Sequence, residues 1–335
     1  MRSDAYASVD TVDYDKSATA QRGSKYNPRH WSLKTWLIAA AIIIVALIAI
    51  IVGAVVGTRD ANAYPDYYPL NYSIKDTFEG EDFWTSNFDY FVGYDPTQGF
   101  VHYSNPDQSA QMNLTFASAS HAVLRVDNTQ TNASTGRHSA RLTSKNQYND
   151  GLFIFDVVHF PYGCASWPAV WLTDPSDWPN HGEIDVIEAV NQATYNTATL
   201  HTTNHCSMKA KQIQTGTTLT TNCYNGTKSN SGCGIKADAQ SYEMMNSLGG
   251  AVYAMELRSA GIRVWVFERS EVPADITAGT PAPSTWSEPA ADFPSTHCDI
   301  GSHFGNLSII ANIGMFVFPH TSWIVYVNLS FRFTY

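Results

Sequence analysis

Charged residues are scarce in this chain. Asp, Glu, Lys and Arg make up only 15% of its 335 residues, and 30 acidic against 20 basic side chains give a formal net charge of −10. Phosphate binding requires clustered Lys and Arg, so this balance disfavours a nucleic-acid partner. Aromatic residues reach 13%. A neutral polysaccharide suits a chain that is rich in aromatic residues and poor in charge.

Internal repeats and long amphipathic helices are also missing. No motif recurs at a period of roughly 20 to 50 residues, which disfavours a solenoid or a propeller. Beyond residue 72, short apolar segments in strand period alternate with turn residues, and they lie at 123–126, 152–157, 199–201, 252–257, 262–267 and 307–313. A glycine in the short loop between 252–257 and 262–267 predicts a hairpin. The pattern predicts an all-β fold, a β-sandwich.

A long apolar run lies near the N-terminus. Residues 1–35 are polar without apolar periodicity, which predicts a disordered tail, and residues 36–56 carry no charge. A helix of this length crosses a hydrocarbon core of about 30 Å, so we predict a transmembrane helix. A signal peptide is the alternative, although its apolar region is normally shorter and closer to the first residue.

The charges around this span predict its orientation. Basic residues precede it at Arg22, Lys25, Arg29 and Lys34, whereas Arg59 and Asp60 follow it. The positive-inside rule then places the tail in the cytoplasm and the rest outside or in the secretory lumen, as in a single-pass type II membrane protein. The Asn-x-Ser/Thr sequons all lie beyond the span, at Asn71, Asn113, Asn132, Asn225, Asn306 and Asn328. We expect a linker over residues 57–71 and one globular domain over 72–335.

Residues 180–190 carry the strongest functional signal. They read NHGEIDVIEAV, with Ile and Val between Glu183, Asp185 and Glu188. A β-strand alternates its two faces, so Glu183 and Asp185 share one face, whereas Glu188 has the wrong parity. A β-bulge within residues 186–188 would bring all three carboxylates into one row.

Like charges along one strand repel one another and destabilise the fold, which suggests that the three carboxylates serve a function. Two glutamates leaning together over a shorter aspartate approach the roughly 5 Å separation that a retaining glycosidase needs. Asp185 would help to push the pKa values of the pair apart. An edge strand with solvated acids, or a calcium site, is the alternative for such a short pattern.

Three tryptophans upstream favour the carbohydrate interpretation, because indole rings stack on sugar rings. The run over residues 163–191 contains GCASWPAVW and then DWPNHGEIDVIEAVN. It resembles glycoside hydrolase family 16, and in particular its fungal laminarinase-like endo-β-1,3(4)-glucanases. Further resembling segments lie at 99–103, 137–142, 199–202, 232–234 and 298–304, so that the resemblance covers roughly residues 72–313.

The resemblance implies a concanavalin-like jelly roll and retaining, endo-acting hydrolysis of β-1,3- or mixed-linkage β-1,3(4)-glucan. It implies that Glu183 is the nucleophile, Glu188 the general acid/base and Asp185 the assisting carboxylate. A β-glucan is the expected partner, the protein is expected to be a monomer, and no metal or organic cofactor is required. Some family members carry a structural calcium, which the sequence does not place.

The resemblance also implies that Trp167, Trp171 and Trp178 line the sugar cleft and that His201, on the neighbouring strand, faces the acidic row. Each residue has an alternative. A tryptophan in a β-sandwich can be a core residue, and His201 can be a buried, hydrogen-bonded histidine. A zinc site formed with His205 and Cys206 lacks further ligands at standard spacing.

The five cysteines all follow the apolar span, where disulfides persist, and we expect one bridge within the loop that holds Cys206, Cys223 and Cys233. An odd number leaves at least one thiol without an internal partner.

The C-terminal end departs from the family pattern. Fungal members continue from the strand at 307–313 with a Cys-Gly-Asp-Trp-Ala-Gly segment, which is replaced here by MFVFPHTSW. We expect an atypical or truncated end after about residue 313, from a retained intron or a gene-model error. Residues 324–335 are apolar enough to pair as a substitute strand. The alternative function is a catalytically impaired glucan-binding or transglycosylating protein of cell-wall remodelling.

Overall fold

The computed structural model describes residues 28–131, 133–227, 230–237, 241–316 and 328–331, the last four by their backbone alone. The chain divides into two compact units, residues 1–60 and 61–335. The described strands are β1 (Phe88–Phe91), β2 (Gly93–Tyr94), β3 (Val101–Tyr103), β4 (Thr115–Ala117), β5 (Ala122–Arg125), β6 (Arg137–Ser139), β7 (Arg141–Tyr148), β8 (Gly151–His159), β9 (Ser166–Thr173), β10 (Glu183–Glu188), β11 (Asn196–His201), β12 (Thr217–Thr218), β13 (Cys233–Ala237), β14 (Ala251–Arg258), β15 (Gly261–Glu268), β16 (Ala291–Pro294), β17 (Leu307–Met315) and β18 (Asn328–Phe331).

The described helices are α1 (Leu33–Ala61), α2 (Phe83–Asn87), α3 (Pro106–Gln111), α4 (Tyr242–Ser247), α5 (Ala274–Thr277) and α6 (Ile300–His303), with 3₁₀ turns at Pro28–His30, Pro283–Thr285 and Ser295–His297. Helix α1 belongs mainly to the first unit. Its stretch Leu33–Arg59 is long and apolar enough to cross a membrane, a test that a signal sequence also passes. It begins three residues before the predicted span. Most of the predicted tail, residues 1–27, lies outside the described residues.

The second unit is a two-layer β-sandwich. One sheet has the strand order β1-β7-β17-β9-β10-β11-β13-β12 and the other β16-β15-β14-β8-β18-β5-β4, with a small sheet β2-β3-β6 beside them. Alternating apolar side chains of both large sheets meet in one core, for example Leu172 and Leu200 from the first sheet and Phe155 and Met255 from the second. The predicted strands and the hairpin between β14 and β15 are confirmed.

The C-terminal strand is confirmed in part. Backbone pairing joins β18 to β5 and to β8, so residues 328–331 complete the second sheet between these strands. The remaining residues of the predicted substitute strand lie outside the described residues.

The predicted linker differs from the structure. Helix α1 runs on to Ala61. Residues 62–76, here called the strap, contact both sheets, since three tyrosines bond to the second sheet and Asp76 accepts from Tyr148 of β7 in the first. The hydroxyls of Tyr64 and Tyr67 donate to the two carboxylate oxygens of Asp292 at 2.9 and 3.2 Å. The Tyr72 hydroxyl donates to Glu256 at 2.7 Å, and the Arg263 guanidinium lies 4.1 Å from the centre of the Tyr67 ring. Both carboxylates are buried, so the strap covers charges that would otherwise face water.

Candidate active site

Strand β10 places its three carboxylates on the face of the first sheet that points away from the core. Glu183 pairs with Thr173 of β9, Asp185 with Trp171 and Glu188 with Ala169, and the register shifts between Asp185 and Ile187. The shift inserts one extra residue, Val186, and restores the parity of Glu188. The predicted bulge is therefore confirmed. We call Glu183, Asp185 and Glu188 the acidic row.

The loop before β10 holds Trp178 against Glu183. The indole Nε1 of Trp178 donates to Glu183 Oε2 at 2.7 Å, and 42% of the Trp178 side chain remains exposed. Asp174 fixes this loop by accepting from Ser176 Oγ at 2.6 Å and by pairing with His181 Nδ1 at 2.7 Å. Trp178 thus offers both a hydrogen bond to the carboxylate and an accessible aromatic surface.

A second tryptophan reaches the other end of the acidic row. Trp167 Nε1 donates to Glu188 Oε1 at 2.7 Å. Its ring stacks on Phe316 with 4.9 Å between centroids and an interplanar angle of 11°. Each glutamate of the row therefore accepts one indole hydrogen bond.

His201 lies beside the other two carboxylates, as predicted from its neighbouring strand. Its Nε2 is 3.3 Å from Asp185 Oδ2 and 4.0 Å from Glu183 Oε1. On the other side of the ring, Nδ1 lies 3.0 Å from Asn230 Oδ1, so Nδ1 carries a proton and donates it. The imidazole is thus held between an amide oxygen and two carboxylates.

Burial and mutual repulsion change the pKa values of this cluster. Burial and the negative charges of Glu183 and Glu188 raise the pKa of Asp185 to about 8. Burial lowers the pKa of His201, but the hydrogen bond and charge of Asp185, with the charge of Glu183, outweigh it and raise this pKa to about 9. The Asp185–His201 pair therefore holds protons at neutral pH, which reduces the negative charge beside Glu183.

The two glutamates have different surroundings. Burial raises the pKa of Glu183, while the charge of His201, the hydrogen bond from Trp178 and the charge of Arg141 act in the opposite direction. Burial also raises the pKa of Glu188, the Trp167 hydrogen bond opposes it, the charge of Glu183 raises it further, and the charge of His201 lowers it. The two sites thus differ in that the charge of Arg141 favours the ionised form at Glu183, whereas the charge of Glu183 favours a proton on Glu188.

Trp171 lies on the same sheet face as the acidic row, but it is buried and forms the floor of the site. Only 7% of the side chain is exposed, and its Nε1 donates to Asn312 Oδ1 at 2.7 Å. The Arg141 guanidinium lies 4.8 Å from the centre of the Trp171 ring and 5.3 Å from that of Phe91. Trp171 therefore packs beneath the site, in contrast to the exposed Trp178 and the half-buried Trp167.

Sequence reasoning did not assign Arg141 or Asn312 to the site. The strand register is the signal that would have found them. Asn312 of β17 pairs with Arg141 of β7 on one side and with Ala169 of β9 on the other. Ala169 in turn pairs with Glu188. Residues that are directly paired share a face, so this row brings both side chains to the acidic face.

Ligand atoms of Glu183, Asp185 and His201 all lie within 4.8 Å of one another, which is close enough to hold a metal ion. A proton on His201, whose pKa is raised to about 9, would compete with a metal ion for this imidazole. Cys206 forms a disulfide with Cys298, which removes it from the alternative zinc set. Cys223 pairs with Cys233, so the predicted bridge within the loop is confirmed, and Cys164 is the exposed thiol outside both bridges.

A family model described as "XgeA-like, catalytic GH16 domain" matches residues 88–316. A protein of Schizosaccharomyces pombe, named as a probable glycosidase, is 44% identical over 261 residues, which are 76% of this chain and 62% of that protein. An endo-1,3(4)-beta-glucanase of Arthroderma benhamiae is 36% identical over 248 residues, 72% of this chain and 54% of that enzyme. The chain thus spans about half to three fifths of the length of these relatives.

Among solved structures, the GH16 laminarinase 16A of Phanerochaete chrysosporium, with the β-glucan 6-O-glucosyl-laminaritriose in its donor and acceptor sites, superposes with a TM-score of 0.74. It is 36% identical, and the match covers 78% of this chain and 98% of that one. The likeness confirms the jelly-roll fold that the sequence predicted.

Proposed function

The chain belongs to the XgeA-like GH16 family, and from this we propose that it is an endo-acting glycoside hydrolase. Its substrate is β-1,3-glucan or mixed-linkage β-1,3(4)-glucan, and the reaction retains the anomeric configuration through a double displacement. The observation that carries the proposal is the acidic row, in which Glu183 and Glu188 flank Asp185 on one strand face and each accepts an indole hydrogen bond.

Glu183 acts as the nucleophile in this proposal. Trp178 donates to it, and the positive charges of His201 and Arg141 stabilise its ionised form. Glu188 acts as the general acid/base, because burial and the charge of Glu183 raise its pKa and keep a proton available. The environments of the two groups thus support different protonation states.

In the first step, Glu188 donates its proton to the glycosidic oxygen while a carboxylate oxygen of Glu183 attacks the anomeric carbon. The bond between that carbon and the leaving chain breaks, and a glycosyl ester forms on Glu183. In the second step, Glu188 accepts a proton from water, the water oxygen attacks the anomeric carbon, and Glu183 leaves as a carboxylate. Each glutamate ends the cycle in its starting state.

Asp185 and His201 support Glu183 in this cycle. Nε2 of His201 reaches both carboxylates, so the protons that His201 and Asp185 hold offset the charge that Glu183 regains when the ester breaks. Asp185 is the assisting carboxylate. Trp178, with its exposed indole, Trp167 and the floor residue Trp171 form the sugar-binding surface.

The proposed location is a membrane, with the catalytic unit on the extracellular or lumenal side and the protein acting as a monomer. The apolar stretch Leu33–Arg59 supports an anchor, and basic residues before it support a cytoplasmic N-terminus. Among the sequons, Asn71, Asn113 and Asn306 are exposed and Asn225 is half-buried, whereas Asn132 and the side chain of Asn328 lie outside the described residues. Removal of N-glycans by an endoglycosidase should increase the electrophoretic mobility of the protein made in a eukaryotic secretory pathway.

The reaction is tested by NMR of the first product released from laminarin and from lichenan by the full-length protein in detergent. Retention predicts that the β-anomer appears first and then equilibrates with the α-anomer. An initial α-anomer would refute the double displacement. Products longer than the substrate would instead indicate transglycosylation, and binding without any product would indicate the glucan-binding alternative.

A further inference from the structure

The ladder between β10 and β11 ends before the bulge. Its pairs are Glu183 with His201, Ile184 with Leu200 and Asp185 with Thr199. Beyond Asp185, β10 continues to pair with β9 on its other side. The peptide groups of residues 186–188 that face β11 therefore lack a ladder partner in this part of the described chain. Buried backbone groups need hydrogen bonds, so another group must take the place of the ladder.

The side chain of Asn196 fills this position. Its Nδ2 donates to the carbonyl oxygen of Val186 at 3.0 Å, and its Oδ1 accepts from the backbone N–H of Glu188 at 2.9 Å. A side-chain amide carries one donor group and one acceptor, as a peptide unit does. Asn196 thus substitutes for the missing strand partner on both sides of the extra residue, and it is only 1% exposed.

Tyr242, the first residue of α4, fixes the orientation of this amide. Its hydroxyl donates to Asn196 Oδ1 at 3.0 Å. Burial raises the pKa of Tyr242 well above its usual value, so the hydroxyl keeps its proton and remains a donor. The Tyr242 ring stacks on Phe160 with 4.6 Å between centroids, which holds the hydroxyl in place.

We propose that Asn196 is a positioning residue that holds the β-bulge at Val186 and thereby presents Glu188 on the acidic row, with Tyr242 orienting its amide. The bulge has to be held because regular pairing would turn Glu188 toward the core face. The catalytic consequence rests on the proposed function, whereas the structural part does not. A displacement of the general acid by about 1 Å lowers the rate by about 100-fold.

The test compares Asn196→Ala with the wild type in the full-length protein in detergent. We expect kcat on laminarin to fall by about 100-fold, with a much smaller change in KM. Hydrogen exchange, followed by mass spectrometry of peptides that cover β10, should become faster at the Glu188 amide. A folded Asn196→Ala protein with wild-type kcat and wild-type exchange at this amide would overturn the proposal.

Gln214 offers a matched control. Its amide also bonds backbone groups in both directions, accepting from the Asp292 N–H at 2.9 Å and donating to the Gly216 carbonyl at 3.1 Å, away from the acidic row. Gln214→Ala should lower the unfolding temperature and leave the kcat of the folded protein unchanged. An equal loss of kcat in both variants would assign Asn196 a purely structural role and overturn the proposal.

If Asn196→Ala does not fold, Tyr242→Phe decides the question. This variant keeps the stacked ring and removes only one hydrogen bond, so kcat should fall by roughly fivefold while KM stays unchanged. Exchange at the Glu188 amide should accelerate, and wild-type exchange together with wild-type kcat would overturn the proposal. If the wild type releases no sugar from laminarin, the proposed function fails, and the exchange measurement alone then decides whether Asn196 holds the bulge.

Discussion

The indole N–H of Trp178 donates a hydrogen bond to Glu183 Oε2 across 2.7 Å, although 42% of the tryptophan side chain is exposed to solvent. One residue thus links the surface on which we propose that a sugar stacks to the carboxylate that we propose as the nucleophile. Sugar binding on the Trp178 ring and ionisation of Glu183 are therefore expected to depend on one another.

Trp178→Phe separates these two roles, since phenylalanine keeps an aromatic face and loses the N–H. A hydrogen bond to a charged group contributes about 1.5–3 kcal/mol, so kcat should fall by about 10- to 100-fold. The pKa of Glu183 should rise, which moves the acidic limb of the pH–activity profile to higher pH. Trp286→Phe, which loses a comparable bond to Asp275, is the control and should leave the profile unchanged.

The raised pKa values of Asp185 and His201 predict how stability depends on pH. The folded protein keeps protons on these groups up to about pH 8 and 9, whereas the unfolded chain releases them near 3.9 and 6.5. The stability that these protons contribute is present in full below the pKa values of the unfolded chain, and it is lost as pH rises through the pKa values of the folded protein. The free energy of unfolding, measured in urea, should therefore fall as pH rises from about 4 to about 9. Asp185→Asn should flatten the fall between about pH 4 and 8, and an unchanged slope in this variant would contradict the assignment.

The contacts of the strap predict that residues 62–76 stabilise the second unit. The centre of the Tyr67 ring lies 5.7 Å from the Arg258 guanidinium and 4.1 Å from that of Arg263, and the Tyr67 hydroxyl donates to Asp292. Tyr67→Ala should lower the free energy of unfolding by about 1–3 kcal/mol, whereas Tyr94→Ala, at an exposed residue, should change it by less than about 0.5 kcal/mol. Chemical denaturation of both variants checks this, and equal stabilities would show that the strap does not stabilise the sandwich.

The Cys206–Cys298 bridge closes a loop of 92 residues beside the end of β11. Replacing both cysteines by alanine should lower the free energy of unfolding by about 2–5 kcal/mol, because the unfolded chain gains conformational freedom. Cys164→Ala removes an exposed thiol outside the bridges and should leave stability within about 0.5 kcal/mol of the wild type. A double variant as stable as Cys164→Ala would contradict this prediction.

The local sequence pattern predicted the arrangement of the carboxylates, but not the residues that hold the bulge between them. The parity of Glu183 and Glu188 in one strand required a bulge, and the structure places it at Val186. Parity does not reveal what holds the bulge, because Asn196 reaches it through tertiary packing from the next strand.

Contacts between distant residues escaped the sequence argument. In the sequence the strap is indistinguishable from a linker, since its Tyr and Pro residues show no period and its partners lie far along the chain. Asp292, for example, is 228 positions after Tyr64. The sequence does not show which tryptophans are buried. Trp171 is buried beneath the site, whereas Trp178 is exposed. Five cysteines allow several pairings, so the Cys206–Cys298 bridge did not follow from their number.

The central claim is that Glu183 is the nucleophile of a β-glucanase. The most direct test is reducing-sugar release from laminarin by the full-length protein in detergent, beside its Glu183→Gln variant. The account predicts that the wild type releases sugar and that the variant, equally folded by circular dichroism, loses roughly 10⁴-fold or more in kcat. A folded Glu183→Gln protein with near-normal release would contradict it.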